Sequence, residues 1–440
     1  MNPTVSARSS FPIPLVGCSL LALTSLLAIT AVRGQSPESE YIPAQGQFEP
    51  GVAPEPDSPF VAPDIPDSIL KEASVDSKWF TLKPGLVILA DYTAFAQDTT
   101  SVAQVGRQNN QTEFRGFRAM FRGTLGREYK ISYLVAAEYN GFDTNPKNLW
   151  ELTDLSFTFP LFGPATKLVV GKTKETFDYE MVGDAANLPH QERVLNPFFL
   201  SRNIGVKVVQ VIGDDHRMTA SAGVFNDWWV TGDSLDRSGT DASARVTGLL
   251  WDQPDGKKFL HLGISGRYAG ADNNTARYRA RPESNVSEYY LDTSSFTSDH
   301  AWNVGLEALW NQGPFSILSE YNHAWVEAPT SGSPEFYGYY FTGSWVLTGE
   351  TRPYDRTVGY ARRVMPTHRW GAPELVFRFA HEDLNGGLIS GGSFDKTYVG
   401  INWWATRRWK AGIGWSHIWL DRFGTQGITD SFLARLQWIY

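Results

Sequence analysis

Apolar and polar residues alternate through most of this chain. At the C-terminus, Phe432, Ala434, Leu436, Trp438 and Tyr440 share one parity, and Arg435 and Gln437 the other. Successive side chains of a β-strand point to opposite faces, so such a segment has one apolar and one hydrated face. The segregation recurs. Phe117, Ala119 and Phe121 oppose Gly116, Arg118, Met120 and Arg122. Tyr129, Ile131, Tyr133, Val135, Ala137 and Tyr139 oppose Lys130, Ser132, Glu138 and Asn140. Leu260, Leu262, Ile264 and Tyr268 oppose His261, Gly263, Ser265 and Arg267. Trp302, Val304, Leu306, Ala308 and Trp310 oppose Asn303, Gly305 and Glu307. Leu375, Phe377 and Phe379 oppose Arg378 and Glu382, and Trp409, Ala411, Ile413 and Trp415 oppose Gly412, Gly414 and Ser416. No comparable stretch repeats at the helical period, so helix is a minor component. A soluble sandwich alternates on some strands. A barrel in lipid needs alternation on nearly every strand, with lipid outside and water inside. The pattern predicts an all-β fold, a transmembrane antiparallel β-barrel.

Turn signals separate the runs: Asn140-Gly141, Gly163-Pro164, Gly213-Asp214, Asp255-Gly256, Gly313-Pro314 and Gly391-Gly392. At roughly 9–11 residues per tilted strand, about sixteen strands fit the length, and fourteen or eighteen fit almost as well. The longest loops are expected near 174–200, 230–242, 270–298 and 351–371, and one of them is a candidate to fold inward and narrow the channel. Aromatic residues gather at expected strand ends: Trp79-Phe80, Trp150, Trp228-Trp229, Tyr289-Tyr290, Trp403-Trp404, Trp438 and Tyr440. Rings with one polar edge favour the headgroup layer and form the girdles of outer-membrane barrels.

Composition sharpens this picture. Mean hydropathy is −0.28, too polar for a helical bundle but compatible with strands that are half wet. The one long apolar run, about residues 15–32, follows Arg8 and precedes Val32-Arg33-Gly34, which reads as a secretory signal peptide over residues 1–34. Cys18, the sole cysteine, lies within it, so an exported chain cleaved near Gly34 carries no thiol. Residues 35–77 hold eight prolines, nine acidic residues and one lysine, and are expected to form a flexible tail. They carry the acidity of the whole chain. Residues 78–440, the expected barrel domain, are nearly charge-balanced and give no sign of nucleic-acid binding.

Several motifs, in order, resemble the phosphate-selective porin O/P family. Arg115-Gly116-Phe117-Arg118-Ala119-Met120-Phe121-Arg122-Gly123-Thr124-Leu125 is similar to its basic early strand. Gly171-Lys172 with Phe177, Glu192-Arg193, and Arg202-Asn203-Ile204-Gly205-Val206 resemble the next block, followed by Gly223-Val224-Phe225-Asn226 and by Gly313-Pro314-Phe315 with Glu320-Tyr321. The most specific match runs from Gly338-Tyr339-Tyr340 through Ser344-Trp345-Val346-Leu347-Thr348-Gly349-Glu350 to Arg352 and Tyr354. Gly371-Ala372-Pro373-Glu374-Leu375 with Arg378, then Gly400-Ile401-Asn402-Trp403, complete the set, which spans about residues 79–440. The resemblance implies a sixteen-stranded, homotrimeric outer-membrane porin with an anion-friendly pore. Two departures stand out: Thr176 before Phe177, where the family often has Pro, and Gly116 within the basic strand. The region sought for the family's inward-folded basic loop holds Asp227, Asp233, Asp236 and Asp241.

Passive transport through a barrel depends on width and fixed charge. Arg suits phosphate because its planar donors grip two oxygens. Candidates for an anion path are Arg118 and Arg122, which share a polar parity about 13 Å apart; Arg267 and Arg378, on polar parities of later strands; and Lys172, Lys174 and Arg202, flanking the matched central block. Each has a structural alternative, a pair with a lumen carboxylate such as Glu138, Glu307 or Glu382. No hydrolase, phosphate-loop or metal-site motif is present, so no enzyme activity, cofactor or metal is expected. His323, His381 and His417 read as surface or girdle residues on strands, and nothing marks Glu151 and Asp154 as a working carboxylate pair. The expected function is a water-filled outer-membrane channel for small hydrophilic solutes, preferring anions such as phosphate, with outer-membrane lipid and two further copies as partners. The alternatives are a barrel with another role (enzyme, adhesin or closed structural barrel) and a secreted soluble β-protein.

Overall fold

The computed structural model describes residues 74–126, 128, 130–142, 149–199, 201–226 and 240–440. The expected signal peptide, most of the acidic segment, Tyr129, Asp227, Asp233, Asp236 and Trp228-Trp229 lie outside them.

Sixteen antiparallel strands form one closed wall: β1 (Thr81–Gln97), β2 (Gln111–Leu125), β3 (Ile131–Tyr139), β4 (Trp150–Leu161), β5 (Thr166–Thr173), β6 (Asn203–Ile212), β7 (Met218–Asn226), β8 (Thr240–Asp252), β9 (Lys258–Gly270), β10 (His300–Gln312), β11 (Phe315–Glu327), β12 (Glu335–Val346), β13 (Ala372–Gly386), β14 (Ile389–Trp404), β15 (Trp409–Arg422) and β16 (Thr425–Ile439). Each pairs with its sequence neighbours, and β1 pairs with β16 from Val87–Ile439 to Gln97–Thr429, closing the ring. Closure pairs every strand's backbone groups, the condition for crossing hydrocarbon. A two-residue ladder, Val75–Asp76 against Leu82 and Thr81, leads into β1.

The alternation sets the faces. Outside, Trp302, Leu306, Phe341, Phe377, Val399, Ile413 and Leu436 are exposed. Inside, Arg118, Asn322, Arg378, Glu382 and Arg435 are buried. A wall that is apolar outward and charged inward has its solvents reversed relative to a soluble domain, as in a bilayer-spanning barrel. His323, His381 and His417 face outward and pair with Glu335, Asp395 and Asp430 at 3.1, 2.8 and 2.7 Å.

Connections at the end where β1 begins and β16 ends are short, except 347–371. Short turns mark the periplasmic side of such barrels and long loops the extracellular side. Five expected turns fall between strands. Gly391-Gly392 does not: both lie within β14, and the chain reverses at Gly387-Leu388. Gly387 has φ +54°, and a Cβ there would lie 2.5 Å from the Ser331 carbonyl, which accepts the Leu388 N–H at 2.8 Å. Tyr289-Tyr290 is likewise not at a wall end but within the 271–299 connection.

The inner face is not uniformly wet, as parity alone implies. Three connections turn inward: 174–202 and 271–299 from the extracellular side, and 347–371 from the periplasmic side. Phe177, Met181, Phe198 and Tyr290 from the first two, and Tyr360 from the third, pack with Leu318, Phe336, Tyr340, Phe394 and Ile418 of the wall in one apolar cluster. A loop buried this way needs partners for its backbone, and the wall supplies them. Gln437, Lys410, Asn402 and Arg435 donate to the carbonyls of Ala186, Leu188, Pro189 and Gln191 at 3.1, 3.0, 2.6 and 2.6 Å.

Candidate functional site

The candidate path runs down the barrel, and its charges differ by level. At the extracellular end, the 271–299 connection carries Arg277, Arg279 and Arg281 at a spacing of two, so an extended backbone sends them to one side. Arg279–Ala280 forms a short ladder with Leu291–Asp292. Arg277 grips Asp292 with two bonds of 2.9 and 2.5 Å. Arg279 and Arg281 stack instead on the Tyr289 ring, 4.1 and 4.3 Å from its centroid. Arg281 also donates to the Ser287 carbonyl at 2.9 Å. Neither forms an ion pair among the described residues. Arg277, Arg279 and Tyr289 line a cleft of about 250 Å3 that reaches Arg267.

Mid-barrel, every strongly buried arginine meets a carboxylate or backbone carbonyls. Arg378 reaches Glu180 at 2.7 Å and Glu283 at 2.6 Å, over the Tyr340 ring. Lys396 holds Glu283 at 2.5 Å and the Pro282 carbonyl at 2.9 Å. Arg435 bridges Asp91 and Glu192 at 2.5 and 2.6 Å, and Arg115 reaches Glu192 at 2.9 Å. Arg245 meets Glu307 at 2.6 Å and the Val358 and Gly359 carbonyls at 3.0 and 2.8 Å. These bonds tie inward segments to the wall. Burial pushes the carboxyl of Glu180 up, but Arg378 and His190 outweigh it and hold the group well below the usual range. Burial, with Arg193 beside it, pulls the Lys174 ammonium well below its ordinary value. Glu320 accepts the Tyr179 and Glu180 N–H groups at 2.5 and 3.2 Å and the Tyr340 hydroxyl at 2.5 Å.

At the periplasmic mouth the pattern changes again. Lys83 and Arg122 are register partners on the inward parity of β1 and β2. Neither makes an ion pair among the described residues. Arg363, from the 347–371 segment, donates its backbone N–H to Asn187, and its side chain forms no ion pair among the described residues. Burial, opposed by Asp184 and aided by Arg362 and Arg408, pulls its guanidinium down to about 10. Arg362 pairs with Asp355, and Arg408 lies over the Tyr440 ring.

The structure distributes the expected path residues rather than gathering them. Arg118 pairs with Glu138, its cross-strand partner. Arg122 stands at the mouth. Lys172 donates to the Leu152 carbonyl at 2.7 Å. Lys174 caps a helical turn through the Met181 and Gly183 carbonyls at 2.6 and 2.8 Å. Arg202 reaches Asp154 at 3.3 Å. Arg267 bridges Glu175 and Asp241 at 2.7 and 2.8 Å. Only Arg267 lines the extracellular cleft with residues the sequence reading passed over, Arg277 and Arg279. Arg279 and Arg281 had a signal, their spacing of two. Arg435 and Lys410 lay on visible polar parities. Arg115 had none, because a register shift at Leu89/Ala90 turns both Arg115 and Gly116 inward. Among the described residues, no group of three or more His, Cys, Asp or Glu is placed to hold a metal.

A closed sixteen-stranded wall with a lipid-facing exterior and inward-folded loops defines an outer-membrane porin. Residues 88–422 match the family described as phosphate-selective porin O and P, and the chain belongs to that family. It is similar to Porin O of Pseudomonas aeruginosa, 22% identical over 432 residues that cover 86% of this chain and 94% of that one. It is also 29% identical over 181 residues to an uncharacterized protein of Caulobacter vibrioides, covering 39% and 35% of the two chains. In fold it resembles the outer-membrane channel DcaP of Acinetobacter baumannii (TM-score 0.52, 10% identity, 84% and 100% covered) and an anion-selective porin from Comamonas acidovorans (0.51, 10%, 82% and 100%). The protein resides in the outer membrane.

Proposed function

We propose that this porin carries small anions of the phosphate class by passive diffusion, and that it does no covalent chemistry. The observation that carries the reading is the placement of cations without ion-pair partners among the described residues. Arg279 and Arg281 stand on Tyr289 at the extracellular end, and Lys83, Arg122 and Arg363 at the periplasmic end. Fixed positive charge at both mouths lowers the barrier for an anion to come in and to leave, while the neutralised middle gives it no deep trap. Three inward segments make the passage narrow, so conductance is expected to be small and selective. The family description, phosphate-selective porin O and P, supports phosphate over other anions.

Homotrimerisation and contact with outer-membrane lipid belong to the same proposal. Both use the apolar outer wall, where Phe114, Phe117, Tyr139, Phe142 and Trp150 form one aromatic cluster. Single-channel recording across a KCl gradient, with phosphate titrated in, tests the reading. The expected result is a reversal potential on the anion side and a chloride current that falls as phosphate occupies the path. A cation-side potential that phosphate leaves unchanged rejects it.

A further inference from the structure

Four carboxylates, Asp178, Glu180, Glu307 and Glu320, gather mid-lumen where the 174–202 segment begins. Glu180 is held by Arg378, and Glu307 by Arg245 and His261. Asp178 and Glu320 are each 2% exposed and form no ion pair among the described residues. Arg245, whose charge also reaches Asp178, is engaged by Glu307 and the Val358 and Gly359 carbonyls. Beneath Asp178 stand three wall residues in one row. Ser265 on β9, Gly305 on β10 and Asn322 on β11 are register partners, so their inward sides adjoin. The missing side chain of Gly305 leaves a dent, and three oxygens converge on it. A Cβ there would clash with Asp178 Oδ1, with Ser265 Oγ at 2.5 Å and with Asn322 Oδ1 at 2.8 Å. The Asn322 amide donates to Asp178 Oδ2 at 2.6 Å, which fixes its orientation and turns its oxygen to the dent. Asn322 is fully buried, and that oxygen accepts no hydrogen bond among the described residues. The Ser265 hydroxyl is 3.4 Å from Asp178 Oδ1, long for a hydrogen bond. Asp178 holds φ +58°, a left-handed conformation that is costly outside glycine, and its carboxylate thereby meets the row.

We propose that Asp178 Oδ1, Ser265 Oγ and Asn322 Oδ1 bind a divalent cation of calcium's size, which pins the start of the 174–202 segment to the wall. The inference goes beyond anion conduction and does not rest on it. Carboxylate, amide and water-like hydroxyl oxygens suit a hard ion. The bare Asn322 oxygen is a buried acceptor aimed at the dent, and a cation satisfies it where no donor does. Two positive charges answer Asp178 and its neighbour Glu320, whose buried carboxylates otherwise lack compensation. Glu320 itself takes the Tyr179 and Glu180 N–H groups and the Tyr340 hydroxyl, so it helps through charge and not as a ligand. Calcium takes about six to eight oxygens, and lumen water completes the shell. So few protein ligands give a weak site, with Kd about 0.1–0.5 mM, in the range of extracellular calcium modules. Magnesium demands a tighter octahedron and is expected to bind less well.

The test uses the folded barrel in detergent, stripped with EDTA and then given calcium chloride. Equilibrium dialysis with radioactive calcium should find about one more ion per barrel in the parent than in Asp178→Asn, which keeps size and hydrogen bonding but removes the charge. Gly305→Ala, which fills the dent, should lose the same ion. Protease cleavage within 174–202 reads the fastening. At ~1 mM calcium it should slow about three- to tenfold in the parent, the factor 1 + [Ca]/Kd for the affinity above. Calcium should leave cleavage of Asp178→Asn unchanged. Equal uptake by parent and Asp178→Asn overturns the site, because the ions then sit elsewhere. So does a parent whose cleavage calcium does not slow. Should Asp178→Asn or Gly305→Ala fail to fold, the milder Ser265→Ala decides: weaker calcium uptake than the parent supports the site, and undiminished uptake overturns it.

Discussion

Arg378 and Arg279 carry the same charge in the same barrel and sit in opposite circumstances. Arg378 is 1% exposed and is held by Glu180 of one inward segment and Glu283 of another. Arg279 lies on a tyrosine ring in an open cleft and forms no ion pair among the described residues. A buried guanidinium loses its hydration and must be compensated at close range. One at a mouth keeps water on one side and can exchange it for a passing anion. The contrast separates two uses of lumen arginine: fastening loops to the wall, and presenting charge to solutes. The mid-barrel group, Arg378 with Arg245, Arg267 and Arg435, belongs to the first use. The mouth groups belong to the second.

The largest effect expected from breaking this division is at Arg378. Arg378→Ala takes the guanidinium from buried Glu180, leaving it His190, and leaves buried Glu283 to Lys396 alone; removing one partner of a buried pair costs about 3–5 kcal/mol. Chemical unfolding in detergent should show the loss, and protease should reach residues 174–202 sooner. A variant as stable as the parent would mean that the inward segments do not depend on this anchor. Arg279→Glu with Arg281→Glu should do the reverse. Stability should be little changed, while the reversal potential in a ~0.1 M salt gradient moves several-fold in permeability ratio toward cations. Large destabilisation without a selectivity change would assign these two residues to the fastening group.

The wall was legible in the sequence because one physical rule governs all its strands. Lipid outside and a polar interior enforce period-two segregation from Phe117 to Trp438, so the faces of Arg118, Arg267, Arg378 and Arg435 follow from parity alone. The path was less legible, because charge identity does not reveal charge pairing. Arg118 and Arg122 look equivalent in sequence. Only the position of Glu138 opposite Arg118, and of Lys83 opposite Arg122, sets them apart. Irregularities hid other members. A register shift brought Arg115 inward against parity, and Gly391-Gly392, a strong turn signal, sits within β14 because Gly387-Leu388 already makes the turn. The inward segments were expected as long loops, but the basic loop was sought near Asp227–Asp241, where acidic residues argued against it. Residues 227–239 lie outside the described ones, and among the described residues the 174–202 segment turns inward. It brings carboxylates of its own, such as Glu175, Glu180 and Glu192, which consume wall arginines as anchors.

The finest test of the division lies within a single strand. Arg118 and Arg122 stand four residues apart on one face of β2; Arg118 is ion-paired, and Arg122 forms no ion pair among the described residues. If pairing decides function, their substitutions should part company. Arg118→Ala leaves Glu138 buried without its partner, so unfolding resistance should fall while selectivity changes little. Arg122→Ala removes a cation that faces Lys83 across the ladder but is also attracted by Asp184, so the relieved repulsion and the lost attraction offset and stability should stay nearly level. It should also reduce anion preference at low salt by a modest factor, about twofold or less, because Lys83 and Arg363 remain. The two readouts, chemical midpoint and reversal potential, then move in opposite combinations for the two variants. Were both arginines to lower stability and selectivity together, pairing would not be what distinguishes anchors from path residues, and position along the barrel axis would have to replace it as the governing variable.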